Sequence, residues 1–162
     1  MRTAFLTEDL VRGLVPEATG IVERVIGSGL TEGRKGLAVI IGDTNGRIRM
    51  DDDNIVRGDG VLAGFFVGES DRRDFFHEVA SSKFAISHET GLSTSQVPLH
   101  RRRFGDTRYY GSVVLENVIV AGSGFQAYYD EMVSYTIAAR ILAAQKAAIA
   151  AFEADKDNLW LP

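Results

Sequence analysis

The segment that most constrains the fold is the last third of the chain, residues 109–152. A short hairpin pattern over 109–121 runs into Gly122-Ser123-Gly124 and then into a long, apolar, Ala-rich helical pattern. Strand, small-residue turn and helix is also the order of a dinucleotide site, and Gly122-Ser123-Gly124-Phe125-Gln126-Ala127 fits G-x-G-x-x-A. A dinucleotide fold needs a parallel strand after that helix and an acidic residue about 20 positions on to hold the ribose. Position 142 is Leu, the next acid is Glu153, and no strand-like run follows. The segment therefore reads as an antiparallel hairpin feeding a helix. The N-terminus of that helix, among small residues, either holds an anion or simply turns the chain tightly.

Upstream, Thr7 is an N-cap residue with Glu8 and Asp9 suited to the first turn. Apolar residues from Leu10 to Ile26 recur at helical spacing, and Pro16 within them is expected to kink or split the helix. Residues 37–41 are continuously apolar and read as a buried strand. Asp43-Thr44-Asn45-Gly46 is the strongest turn signal, so residues 47–53 are expected as the return strand of a hairpin. Residues 56–68 read as a Gly-rich loop with a possible short strand over 62–67. Ser70 is expected to cap a second helix running to Gly91. Residues 91–108 are irregular and polar, and Glu116-Asn117 turns the hairpin of 109–121. The order α-ββ-(β)-α-ββ-α predicts an α/β (α+β) domain with a mainly antiparallel sheet of about five strands flanked by helices.

With 162 residues, 45% hydrophobic and 25% charged, the chain can bury a core as one domain, with a short tail over 155–162. It has no cysteine, which excludes thiol catalysis, Cys-based zinc and iron–sulfur sites, and disulfides, and fits a cytoplasmic protein. A net charge of −4 argues against nucleic acid or acidic membranes as partners. Residues 1–15 carry Glu8 and Asp9 and no long apolar core, so they do not read as a signal peptide. Arg140, Gln145 and Lys146 interrupt the Ala-rich run, making it a buried or interface helix and not a membrane span.

Several motifs resemble the GlcG-like family, which includes haem-binding extracellular sensor proteins and the C-terminal domain of PduO-type corrinoid adenosyltransferases. Leu6-Thr7-Glu8-Asp9 is similar to the family's opening helix. The stretch from Ala38 through Asn45-Gly46-Arg47-Ile48, with Arg49-Met50-Asp51 following, is similar to its strand, turn and strand. Ala80-Ser81-Ser82-Lys83 resembles its Ala-x-x-Lys helix. Val118-Ile119-Val120-Ala121-Gly122-Ser123-Gly124, with Asp130 after it, resembles its closing strand, Ser-Gly turn and acidic helix start. The resemblance implies a profilin-like three-layer arrangement, a homo-oligomer and a small-molecule ligand, with haem as the possible cofactor. Lys83, Gly122, Ser123 and Gly124 become candidate ligand-binding residues.

His77 and His88 fall on one predicted helix. Eleven residues bring them back to within about 20° of each other but about 16 Å apart along the axis, so they cannot share one metal ion. Either alone is a candidate iron ligand, or an ordinary hydrogen-bonded helix residue. His100 precedes Arg101-Arg102-Arg103: a candidate base or ligand beside three guanidiniums suited to carboxylate or phosphate, or else a solvated loop. Asp51-Asp52-Asp53 lacks the spacing and ligand number of a calcium loop; on a strand only Asp51 and Asp53 would share a face. Tyr109, Tyr110, Tyr128 and Tyr129 can stack on a flat ligand or pack at a subunit interface. No Gly-x-Ser-x-Gly elbow, Walker loop or His-Glu-x-x-His motif is present; position 81, where the second His would stand, is Ser.

Three functions are therefore expected in competition. The first is a GlcG-like protein binding haem or another flat, anionic ligand, with Arg101, Arg102 and Arg103 on its carboxylates and a histidine on its iron. The second is an enzyme on a small carboxylated or phosphorylated metabolite, with His100 as catalytic base. The third is a non-catalytic assembly subunit joined through the Ala-rich helix and the Leu159-Trp160-Leu161 tail.

Overall fold

Strand β1, Gly36–Asp43, is buried along its whole length, which fits the continuously apolar, non-alternating run over 37–41. Leu37, Val39 and Ile41 face one hydrophobic cluster, while Ala38 and Ile40 face another. The computed structural model, which describes residues 3–157, 160 and 161, organises everything else around this strand. Helix α1 is Glu8–Gly27; β2 is Arg49–Met50, β3 Val56–Arg57 and β4 Val61–Gly68. Helix α2 is Arg73–Thr90, β5 Ser112–Leu115, β6 Val118–Ser123 and α3 Ala127–Ala154. The main sheet has the order β4-β1-β6-β5 with every pair antiparallel, and β2 pairs β3 in a separate ribbon. Helices α1 and α3 cover one face, where Val11, Val22, Val133 and Ile137 pack on the sheet. Helix α2 covers the other through Ala80 and Phe84. The fold is thus a three-layer α+β arrangement, as expected, with four strands in the main sheet.

Three local expectations are corrected. Pro16 does not split helix α1, which continues through it, although proline leaves one carbonyl of the ladder unpaired. Val11 before it and Ala18 and Val22 after it are all buried, so packing on both sides holds one helix. Residues 47–53 do not return along β1. Asp43 Oδ1 accepts the Asn45 N–H at 2.9 Å, closing a side-chain-capped turn, and the polar segment leaves the sheet as the β2–β3 ribbon. The neighbour of β1 is instead the apolar β4, which contains the short strand expected over 62–67 and extends it by one residue at each end, with Ile40 opposite Gly64. Ser70 does not cap α2; its Oγ accepts the Arg72 N–H at 3.0 Å, and the N-cap position is Arg72 itself.

The first strand of the late hairpin begins at Ser112 and not at residue 109, and other boundaries agree with the pattern. Thr7 Oγ1 accepts the Leu10 N–H at 3.1 Å at the start of α1. Gly91 ends α2 in the left-handed region at φ 68°. Of the predicted tail, Leu159 lies outside the described residues, while Trp160 and Leu161 are exposed. No helix among the described residues is long and apolar enough to cross a membrane.

Candidate functional site

The starts of α2 and α3 converge on one open cleft of about 1270 Å³, also lined by residues 33–36, 68–71 and 109–110. Close backbone contacts fix its floor. Gly124 has φ +150°, and a Cβ there would lie 2.1 Å from the Gly36 carbonyl oxygen. The Gly122-Ser123-Gly124 turn thus serves to bring α3 hard against β1.

Beneath this turn lies a buried ion pair. Phe76, Val79 and Lys83 fall on one face of α2 and all line the cleft. Lys83, 1% exposed, donates from Nζ to Asp130 Oδ2 at 2.9 Å and to the Gly122 carbonyl at 2.8 Å. Asp130 Oδ1 accepts the Phe125 N–H at 2.8 Å, so one carboxylate both holds the lysine and caps the turn into α3. Gly111 packs so close that a Cβ would stand 2.8 Å from Nζ. Burial sets the electrostatics. It pushes the Asp130 carboxyl up to about 6, against the opposing pull of Lys83, and it pushes the Lys83 ammonium down, against the pull of Asp130. A second polar web sits behind it. Ser112 Oγ lies 2.7 Å from Ser87 Oγ and donates to the Lys83 carbonyl at 3.0 Å, and Thr94 Oγ1 accepts the Gly111 and Ser112 N–H groups.

The walls are cationic and aromatic. Arg72 lies 4.4 Å over the Phe75 ring and Arg73 lies 5.3 Å over Phe66. Arg34 donates to the Phe125 carbonyl at 2.7 Å. Arg108 lies 5.1 Å over Tyr109 and donates to its hydroxyl at 3.3 Å, which holds that phenol below its ordinary value; Arg72 and Arg34 add to the same pull. Glu69 and Asp71 also line the cleft. Neither helix start is capped by its own N-cap side chain, Arg72 in α2 or Gln126 in α3. Gln126 Oε1 is a buried acceptor without a hydrogen-bond partner. First-turn N–H groups, guanidiniums and flat rings together suit a planar molecule bearing carboxylate or phosphate.

The structure brings together residues singled out in the sequence: Lys83, Tyr109, Tyr110, Tyr128, Ser123 and Gly124 all line the cleft. Gly122 contributes its carbonyl to Lys83. The Arg-rich loop does not form a clamp. His100 and Arg101 are exposed on the 3-10 turn Leu99–Arg101. Arg102 donates to the Thr107 and Thr94 carbonyls at 2.7 and 2.9 Å, bracing its own loop. Arg103 pairs with Glu89 at 2.9 Å. The histidines also lie apart from the cleft. His77 lines a second cavity of about 660 Å³ with Asp53, Asp74 and Glu78, and burial, then Arg73, pushes its imidazole down. His88 Nε2 donates to the Gly46 carbonyl at 2.7 Å and its ring stacks on Phe84. Among the described residues no group of three His, Asp or Glu could hold a metal ion. Asp51 and Asp53 stand in a turn and not on a strand: Asp51 Oδ1 accepts the Asp53 and Ile55 N–H groups, and Oδ2 accepts from Arg57.

Arg34, Lys35, Arg72 and Arg73 were missed in the sequence. One signal was present: Arg72-Arg73 puts two cations at the start of a helix, where the dipole disfavours them. A broken local rule of that kind marks a site that something else must neutralise.

No protein-family model matches the chain, and no curated protein matches it. The crystal structure of Ybr137w protein is similar in fold, with a TM-score of 0.50 and 13% identity over 85% of each chain. At that identity the likeness extends to the three-layer α+β fold alone.

Proposed function

We propose that this chain is a GlcG-like small-molecule-binding protein whose cleft takes a flat, anionic ligand. The observation that carries the reading is the meeting of two helix starts with Arg34, Arg72 and Arg73 and an aromatic wall around one cavity. At about 1270 Å³ the cavity is roomy enough for a cofactor-sized molecule, since such sites run to roughly 300–1,000 Å³.

Haem is the first such ligand. The guanidiniums suit its propionates and the aromatic residues suit its face. No histidine lines the cleft, so the oxygen ligand on offer to iron is a tyrosine, with Tyr109 favoured because Arg108 stabilises its phenolate. Haem would supply the redox or sensing chemistry; the chain's part is to bind the carboxylates and cover the face. Haemin titration read in the Soret region tests this. Saturable, stoichiometric binding that weakens in Arg72→Ala and changes its spectrum in Tyr109→Phe is expected. A featureless, non-saturating rise would remove haem.

A cytoplasmic homo-oligomer belongs to the same proposal. Its support is the cysteine-free sequence and a stripe of Tyr128, Met132 and Tyr135 exposed at helical spacing along α3 from the cleft edge, which suits a second copy. Light scattering of Tyr135→Glu is expected to give a smaller species than the unmodified chain; an unchanged mass would remove this interface.

A further inference from the structure

We infer that Lys83 is a nucleophile that forms an imine with small anionic carbonyl compounds seated in the cleft, and that Asp130 shuttles the proton. The inference rests on the proposed use of the cleft as an anionic-ligand site and adds a substrate class and a reaction to it.

Four observations carry it. Lys83 borders the cleft and its side chain is 1% exposed, so the amine lies at the cleft's edge while bulk water is held off. Its Nζ is fixed by two acceptors, Asp130 Oδ2 and the Gly122 carbonyl, so its direction is set in advance. One acceptor is a carboxyl group that burial has brought toward neutrality, able to take a proton from the ammonium and return it. The surroundings are apolar on the α2 side, with Phe76 and Val79 on the same helix face, which favours the neutral, nucleophilic amine. The guanidiniums and helix starts would then hold the anionic group of the substrate away from the reacting carbon.

The chemistry balances without an outside oxidant or reductant. Asp130 takes a proton from the Lys83 ammonium. The amine lone pair attacks the carbonyl carbon, a C–N bond forms, and the carbonyl π pair moves to oxygen. The proton on nitrogen passes to that oxygen through the carboxylate, giving a carbinolamine. Protonation of its hydroxyl and departure of water then leave the C=N bond, with one water released per imine formed.

The test uses pyridoxal 5′-phosphate, a flat, phosphorylated aldehyde, followed by borohydride and peptide mapping. Lys35, also in the cleft lining, and the lysines at 146 and 156 serve as internal competitors. The expected result is one reduced adduct on Lys83, suppressed at least tenfold by excess pyridoxine 5′-phosphate, which has the same shape and charge but no aldehyde. Adducts on Lys35 alone, scattered adducts, or none would overturn the imine proposal. Calorimetry with pyridoxine 5′-phosphate separates the two readings: binding without an adduct refutes the nucleophile and leaves the cleft standing, while no binding refutes the cleft itself. Because the wild-type chain is used, no variant has to survive folding.

Discussion

Replacing the buried pair with neutral near-isosteres, Lys83→Met with Asp130→Asn, should remove the local pH dependence in two windows. Asp130 is 2% exposed and its folded carboxyl stands at about 6, against an ordinary value of 3.8. Between these values the native state holds a proton that the unfolded chain has released, so wild-type stability falls as pH rises through the window. Two units at about 1.4 kcal/mol each give roughly 3 kcal/mol. Lys83 has the opposite effect. Its folded value lies below 10.5, so the unfolded chain binds the extra proton and stability is recovered as pH rises toward 10.5. The double variant has neither group. The stability of wild type minus that of the variant should therefore drop between pH 4 and 6, run low through neutrality, and climb again in the alkaline range. Urea denaturation reads it: with a slope of about 1–3 kcal/mol/M, the acid-side change moves the midpoint difference by about 1–3 M. Asn keeps the acceptor for the Phe125 N–H, so the cap survives in the variant. A difference that is flat, or that rises from pH 4 to 6, would refute the view that burial outweighs the pair's attraction.

Four further outcomes follow from the geometry. Gly124→Ala should cost at least about 3 kcal/mol in thermal or urea unfolding, because its Cβ meets the Gly36 carbonyl at 2.1 Å and its φ of +150° is unsuited to a side chain. His88→Ala should destabilise by about 1–3 kcal/mol through the orphaned Gly46 carbonyl and the lost Phe84 contact, while leaving cleft binding unchanged in calorimetry. Arg101→Ala should alter neither stability nor binding beyond experimental error. Arg102→Ala should cost about 1–3 kcal/mol by leaving the Thr94 and Thr107 carbonyls without their donor.

Much of the architecture was legible because it is written in local periodicity. The buried run of β1, the Thr7 cap, the Gly91 stop and the Glu116-Asn117 turn depend on neighbours in sequence. What was not legible depends on distant partners. Asn45-Gly46 announces a turn but not which strand pairs with β1, and only the apolar face of β4 decides that. The cleft shows the same division. Lys83, Ser123 and Gly124 were marked by short motifs, and the fold brings them within one cavity. Arg101, Arg102 and Arg103 are adjacent in sequence, which drew attention to them, but adjacency in an irregular loop sends the side chains to different partners. The cations that line the cleft come in two separate pairs, 34–35 and 72–73, brought together by the pairing of β1 with β4, where the Glu69 N–H donates to the Lys35 carbonyl at 2.9 Å.

The most direct test of the central claim is an amide-resolved NMR titration with pyridoxine 5′-phosphate. The account predicts saturable shifts at the first turns of α2 and α3, residues 72–75 and 126–128, with residues 100–103 unmoved. Shifts centred on residues 100–103, or none that saturate, would contradict it.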